Sequence, residues 1–340
     1  MTGLLTTGRV LHAGQAVVDV VLRIPSVPEP GGDVFATAHR LVAGGGVNTM
    51  TAAARDGAEV VYLGSHGTGP FGDIVRAALA EEGVRVLASP DPLEDTGFSV
   101  ALVDDSAERT FVSTRGAEAR TPLAQLLAGA PVPGDVVCVS GYSLVHPVNR
   151  ESLLRWLPDL EDGVQVVVDP SPVIGDVDLG SVHALLDRAD VWTTNEREAR
   201  VLVDRLAAHA EDAPARTGTE AAPAGSEAMA PSPDADLLAL ASRLCALTGA
   251  VVLLRAGARG AVLVRPDREP LVLPPLSVTA VDTNGAGDAH TGVLCGRLAA
   301  GEPLEDAARR AGAAAAIAVT RHGPATSPMT AEIDDAMHSL

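Results

Sequence analysis

The stretch Asp282-Thr283-Asn284-Gly285-Ala286-Gly287-Asp288 leads directly into residues 289–299, which predict a helix. Glycines just before a helix allow backbone N–H groups to converge at the positive end of the helix dipole. We therefore expect residues 285–287 to form an anion site that needs no lysine. Asp288, in the first helical turn, is placed to take a proton from a hydroxyl group that attacks a phosphate. A plain glycine turn with a helix-capping aspartate is the structural alternative, and the spacing does not separate the two.

A second glycine-rich turn and a carboxylate lie upstream. Gly44-Gly45-Gly46-Val47-Asn48 leads into another predicted helix, and Asp19 is predicted to end an apolar strand. Three glycines permit close approach of a ligand to the backbone, and the Asn48 amide both donates to and accepts from hydroxyl groups. A carboxylate at a strand end accepts hydrogen bonds from two hydroxyls. The alternatives are a turn that starts a helix and an ordinary turn aspartate.

A third motif, Asn195-Glu196-Arg197-Glu198, follows the predicted strand 191–193. Oxygen atoms at positions i and i+3 fall on one face of a helix that starts there. Such a pair suits Mg²⁺, which keeps several waters and takes few protein ligands. The alternative is a helix N-cap with acidic residues in the first turn.

One glycine motif points to a different function class. Residues 67–72 match G-x-G-x-x-G between a predicted strand and a predicted helix, the setting of a dinucleotide site. Pro70 removes a backbone N–H inside this loop, and the acidic residues that follow fall within the helix. We therefore predict no nicotinamide or flavin site here.

Short apolar runs alternate with helical stretches along most of the chain, which favours a parallel sheet covered on both faces. Residues 98–103 and 110–113 predict a hairpin. Residues 207–236 lack periodicity and bulky apolar side chains, and they predict a disordered insertion. The runs predicted as sheet strands are residues 60–63, 136–139, 164–168, 191–193 and 251–254.

Charge and cysteine usage exclude several function classes. The net charge of −19 argues against nucleic acid or an anionic membrane as the partner. All 25 basic residues are arginine, so no mechanism can use a catalytic lysine. The three cysteines are scattered, no apolar run approaches a membrane span, and no signal peptide is recognised. These observations predict a cytoplasmic protein.

Together these motifs resemble the ribokinase-like (PfkB) family of carbohydrate and nucleoside kinases. Residues 282–288 match every fixed position of its signature D-T-x-G-A-G-D, and Asn195 with Glu198 resembles its N-x-x-E motif. Residues 254–260 are similar to its strand and Gly-x-x-Gly turn, and residues 319–324 to its closing V-T-R-x-G-A stretch. The motifs follow the same order, and the resemblance covers nearly the whole chain apart from the insertion.

The resemblance implies one ribokinase-like domain over residues 1–340, a three-layer α/β/α sheet with a small β lid. The lid would come from about residues 20–41 and 96–114, and in this family such lids often form homodimers. The implied function is an ATP-dependent kinase that phosphorylates a hydroxymethyl group of a small sugar or sugar-like substrate.

The resemblance also implies roles for individual residues. Asp288 would be the general base, beside an anion hole of Gly285, Ala286 and Gly287. The remaining roles are acceptor binding by Asp19, Gly44, Gly45 and Asn48; ATP binding by Asn195, Gly257, Gly260 and Thr283; Mg²⁺ placement, largely through water, by Glu198 and Asn195; and a potassium site at Asp282.

Two departures bear on the substrate. The family's first signature runs G-G-x-x-x-N, and here Ala43 stands at its first glycine when the asparagines are aligned. Ribose-phosphorylating members present a glutamate after a middle strand, whereas residues 140–143 carry no carboxylate, which disfavours ribose. A nucleoside kinase of the same family and a non-catalytic sugar- or nucleotide-binding regulator are the alternatives.

Overall fold

The computed structural model describes residues 8–106, 109–212 and 233–338, and within them lie thirteen strands, ten α-helices and five short 3₁₀ helices. The strands are β1 (Val10–His12), β2 (Ala16–Arg23), β3 (Ala38–Gly45), β4 (Val60–Tyr62), β5 (Arg85–Val86), β6 (Phe98–Val103), β7 (Arg109–Ser113), β8 (Val136–Ser140), β9 (Gln165–Asp169), β10 (Val191–Asn195), β11 (Val251–Arg255), β12 (Ala261–Arg265) and β13 (Arg268–Leu273). The helices are α1 (Gly46–Arg55), α2 (Pro70–Glu81), α3 (Leu123–Leu127), α4 (Pro147–Trp156), α5 (Leu179–Leu186), α6 (Glu196–Asp212), α7 (Pro233–Thr248), α8 (Ala286–Ala299), α9 (Leu304–Ala318) and α10 (Thr330–His338).

Nine strands form a large sheet in the order β13-β12-β11-β10-β9-β8-β1-β4-β5. The seven strands from β11 to β5 are parallel, as the alternation of apolar runs and helices predicts. The last two, β12 and β13, are antiparallel, which the sequence analysis did not anticipate. Each joins its predecessor by a short turn, too short for the helical crossover that a parallel pair requires.

Apolar side chains fill a separate core on each face of the large sheet. In β8, Val137 and Val139 pack into one core, and Val136 and Cys138 pack into the other. This alternation follows from the period of two along a strand. The predicted three-layer α/β/α architecture is therefore confirmed.

A second sheet of four strands, in the order β3-β2-β6-β7, forms the lid. The predicted hairpin is present as the antiparallel pair β6 and β7, and β2 pairs with β6 in parallel. The position predicted for Asp19 is wrong: it lies in the middle of β2, a lid strand that begins at residue 16. Pairing with β3 continues from residue 16 to residue 23, so the chain does not turn at Asp19.

The prediction that residues 207–236 are disordered is wrong at both ends. Residues 207–212 continue α6 and residues 233–236 begin α7, whereas residues 213–232 lie outside the described part of the chain. Alanine has the highest helix propensity, so Ala207 and Ala208 let α6 extend beyond Leu206, a buried residue of the core, without further bulky apolar side chains. None of the described helices is both long and apolar enough to span a bilayer.

Candidate active site

The turn before α8 has the conformation that an anion site requires. Gly285 has φ +77°, and a Cβ at this position would lie 2.0 Å from the backbone oxygen of Pro324. Only glycine fits such a turn. The N–H of Gly287 has no acceptor among the described residues, and the N–H of Ala286 has only the oxygen of Thr283, 3.4 Å away. Donors at the N-terminus of α8 are therefore available to an anion.

Asp288 is held by two side chains of α1. The Asn48 amide donates to its Oδ2 and the Thr49 hydroxyl to its Oδ1, each at 3.1 Å. Burial raises the pKa of Asp288 to about 6, and the charge of Asp169 adds to this effect, whereas the hydrogen bonds from Asn48 and Thr49 oppose it. The carboxylate is therefore oriented, and it is more basic than an exposed aspartate.

Asp19 faces the same space from the lid. Burial raises the pKa of Asp19 to about 6, and the negative charge of Asp288 contributes. Its carboxylate lies against Gly44, where a Cβ would come within 2.2 Å of Oδ2, so a side chain there would displace it. Gly45 ends β3 directly before α1. The structure thus brings together all four residues predicted to bind the acceptor.

The Asn48 side chain has one unused acceptor. Asn48 is 5% exposed, and its Oδ1 has no hydrogen-bond partner in the described part of the structure. A buried amide oxygen without a partner is costly, and a ligand hydroxyl would satisfy it.

Asn195 and Glu198 form a reciprocal helix cap. The Glu198 N–H donates to Oδ1 of Asn195 at 2.9 Å, and the Asn195 N–H donates to Oε2 of Glu198 at 3.0 Å. The helix N-cap, which was the alternative to a metal site for this motif, is therefore present. Burial and the charge of Asp169 raise the pKa of Glu198, although the charge of Arg255 opposes this. One Glu198 oxygen and the Asn195 amide nitrogen remain outside the cap.

One cationic side chain at the centre of the site, that of Arg255, was not predicted from the sequence. Nη1 of Arg255 lies 3.2 Å from Oδ2 of Asp169, 3.1 Å from the oxygen of Gly287 and 3.1 Å from Oγ1 of Thr291. Its Nη2 lies 3.7 Å from Oε2 of Glu198. Asp169 and Arg255 each end an apolar strand of the parallel sheet, and this shared position is the signal that could have found them.

Asp282 is surrounded by donors. It accepts from Arg109 of the lid at 2.6 Å, from the Asn284 N–H at 2.9 Å and from the Gly323 N–H at 3.1 Å. Burial alone would raise the pKa of Asp282, but these hydrogen bonds hold it below its ordinary value. The Asp282 carboxylate is therefore bound by a guanidinium group and two N–H donors at the position where the resemblance implies a potassium ligand.

The other predicted nucleotide residues lie near the same edge of the sheet. Gly257 and Gly260 belong to the turn between β11 and β12, directly after Arg255, and Thr283 is exposed in the loop before α8. Within the described ranges, no three His, Cys, Asp or Glu side chains lie close enough to hold a metal ion together.

The G-x-G-x-x-G loop at residues 67–72 is filled by the protein itself. The Asp95 carboxylate accepts from the N–H of Phe71 at 3.1 Å and from the N–H of Gly72 at 2.8 Å. These are the donors that a pyrophosphate would use at this helix N-terminus. The geometry agrees with the prediction that no dinucleotide binds here.

Comparison with known proteins gives one family match. The model of the pfkB family carbohydrate kinase matches residues 9–331. An uncharacterized sugar kinase of Escherichia coli (strain K12), YegV, is 29% identical over 332 residues, which cover 97% of this chain and 94% of that protein. The ribokinase of Haemophilus influenzae is 27% identical over 319 residues, 92% of this chain and 93% of its own.

A solved structure shows the same fold. The ribokinase of Arabidopsis thaliana, complexed with ribose and ATP, has a TM-score of 0.72 and 20% sequence identity. The match covers 98% of this chain and 99% of that chain.

Proposed function

Because the chain belongs to the pfkB family of carbohydrate kinases, it is a phosphotransferase with an alcohol acceptor, and we propose that Asp288 is its general base. In this proposal ATP donates its γ-phosphoryl group to a hydroxymethyl group of a sugar or sugar-like acceptor. The single observation that carries it is the Asp288 carboxylate, fixed by two hydrogen bonds beside the open N–H groups of α8.

The acceptor lies between the lid and α1. Asp19 accepts hydrogen bonds from its hydroxyl groups, and Oδ1 of Asn48 accepts another. Gly44 keeps the Asp19 carboxylate in place, because a side chain there would collide with it. The hydroxymethyl group then points at Asp288, which is the one carboxylate that both Asn48 and Thr49 orient.

The transfer step has a simple balance. The hydroxymethyl oxygen bonds to the γ-phosphorus while its proton moves to Asp288, and the bond from that phosphorus to the β,γ-bridging oxygen breaks to release ADP. The N–H groups at Gly285, Ala286 and Gly287 stabilise the charge on the equatorial oxygens. Positioning and fixed dipoles supply most of the catalysis in such a step.

The charge distribution of the site is compatible with a metal ion that is held by few protein ligands. Asp169 and Glu198 would repel the phosphates of ATP, and Arg255 offsets only part of this charge. The Glu198 oxygen outside the helix cap fits a water-mediated contact to Mg²⁺, with Asn195 beside it. Mg²⁺ supplies charge neutralisation of the phosphates when it is bound. A potassium ion at Asp282 would have to share its carboxylate with the Arg109 guanidinium, which is a competing cation.

Two further expectations stay proposals. The lid homodimer is supported by the apolar face that the lid turns away from Asp19, where Leu41 is 46% and Val112 is 60% exposed. Sedimentation of the full chain measures this, and a single-chain mass would contradict it. The cytoplasmic location also stays a prediction.

A screen for ADP release tests the function. The full chain is incubated with ATP, Mg²⁺ and single acceptors drawn from pentoses, hexoses, sugar acids, sugar phosphates and nucleosides, with and without K⁺. We expect acceptor-dependent ADP release with a carbohydrate, at least tenfold above the acceptor-free rate. Release with nucleosides alone would favour the nucleoside kinase. ATP binding without release for any acceptor would favour the non-catalytic regulator.

The acid limb of the pH profile tests the two carboxylates. Asp288 must be ionised to take a proton, and its pKa is raised to about 6, so kcat/KM should fall as the pH drops through about 6. Asp19 also has a pKa of about 6, so the limb should approach a two-proton slope. In Asp19→Asn the slope should drop to one proton, and the midpoint should move to lower pH because a repelling charge is gone. A profile flat down to pH 5 would contradict both assignments.

A further inference from the structure

A cavity of about 240 Å³ opens between the lid, the loop before α8 and the loop after α9. It contains Asp19, so it adjoins the space assigned to the acceptor, although Gly44, Asn48 and Asp288 do not line it. It does not contain Asn195, Glu198 or Gly257, which belong to the nucleotide side. Its lining residues are Asp19, Val21, Arg23, Ala38, His39, Arg40, Ala101, Val103, Arg109, Phe111, Asp282, Asn284, His322, Gly323 and Pro324.

The lid places three guanidinium groups on the face that carries Asp19. Asp19 and Arg23 point to the same face of β2, since alternate residues of a strand share a face. The register pairs Val21 with Arg40 of β3, and it aligns Arg23, through Val103, with Arg109 of β7. The arginines therefore occupy one end of the lid face, and Asp19 lies nearer its other end.

Two of these arginines are not neutralised by the protein. Arg109 pairs with Asp282 at 2.6 Å, but Arg23 and Arg40 have no ion pair with any described carboxylate. Both side chains are solvent-exposed where they line the cavity, so water solvates their charges, and a ligand must offer more than single hydroxyl hydrogen bonds to replace that water. A phosphate or carboxylate offers more, because it accepts two parallel hydrogen bonds from a guanidinium.

We propose that the acceptor of this kinase carries an anionic group, a phosphate ester or a carboxylate, which Arg23 and Arg40 bind at the far end of the cavity from Asp288. The inference rests on the proposed function and adds the substrate class. The spacing agrees with a single small molecule. Arg40 pairs with Val21, two residues along β2 from Asp19, and two residues of a strand span about 7 Å of backbone. That distance is close to the length of an extended six-carbon chain.

The test compares matched neutral and anionic acceptors on the full chain. Ribose, glucose and fructose are measured beside ribose 1-phosphate, glucose 1-phosphate, fructose 6-phosphate, ribonate and gluconate, each of which keeps a free hydroxymethyl group. We expect kcat/KM to be at least tenfold higher for one anionic acceptor than for its neutral counterpart. The phosphates and the acids form separate arms, so the result also identifies the anionic group.

Arginine variants connect this preference to the cavity. Arg23→Gln and Arg40→Gln should each lower the ratio of kcat/KM for the anionic acceptor to that for the neutral one by about 10- to 100-fold, the loss of a charge-assisted hydrogen bond. KM for ATP should not change. Arg85→Gln makes the same charge change on exposed Arg85 of β5, at the far edge of the large sheet, and should leave the ratio as it is. Melting curves of all three variants check that they are folded.

The outcomes separate the two proposals. If neutral sugars react fastest and the lid variants leave the ratio unchanged, the anionic acceptor is overturned while the kinase stands. If no acceptor yields ADP above the acceptor-free rate, both proposals fail.

Discussion

Asp288→Asn should lower kcat by about 10²- to 10⁴-fold, because the variant keeps the shape of the side chain and loses the group that takes the proton. The Asn48 and Thr49 contacts hold Asp288 in place, so an isosteric amide should leave the site folded. ATP affinity, measured by calorimetry, should change little. Single-turnover rates separate the chemical step from product release.

Asp73→Asn is the matched control for this variant. Asp73 is also an acidic residue in the first turn of a helix, α2, but it pairs with Arg76 and does not line the site. It should cost at most a little stability and leave kcat unchanged. Equal kcat values for Asp288→Asn and the wild type would show that Asp288 only stabilises the helix start, and the assigned base would be wrong.

Gly285→Ala should lower kcat/KM by about 10²- to 10³-fold, the size of effect that follows loss of a backbone donor from an anion hole. Two costs act together. An alanine at φ +77° is strained by about 1 kcal/mol, and its Cβ would lie 2.0 Å from the oxygen of Pro324. The turn must shift, and the donors of Ala286 and Gly287 shift with it.

Gly301→Ala separates strain from collision. Gly301 has φ +78°, nearly the value of Gly285, but a Cβ there meets nothing within 4 Å. Its melting temperature should fall by a few degrees at most, with kinetics unchanged. If Gly285→Ala retained full activity after the same loss of stability, its turn would be a structural feature and the anion hole would lie elsewhere.

The sequence predicted the parts of the site that depend on local backbone geometry. The Gly285 turn, the helix after it and the Asn195–Glu198 cap are set by residues within a few positions of each other. Asp169 and Arg255 were missed because they come together through strand order, 86 residues apart in the chain. No short motif records such a contact.

The fold shows the same division. The parallel sheet follows from the alternation of apolar runs with helices, and the β6–β7 hairpin follows from its polar turn. The place of Asp19 within a lid strand was not predictable in this way, because one apolar run continues from residue 16 to residue 22 on both sides of it. Its partners in β3 and β6 decide the assignment.

Asp19 belongs to one sheet and Asp288 to a helix on the other, so neither sheet alone presents a complete pair of carboxylates to the acceptor. An acceptor that contacts both carboxylates therefore links the lid to the large sheet and its helices. Its size and charge then determine how firmly they are held together and how well ATP is shielded from wasteful reaction with solvent. The same contacts therefore select the substrate and limit the hydrolysis of ATP.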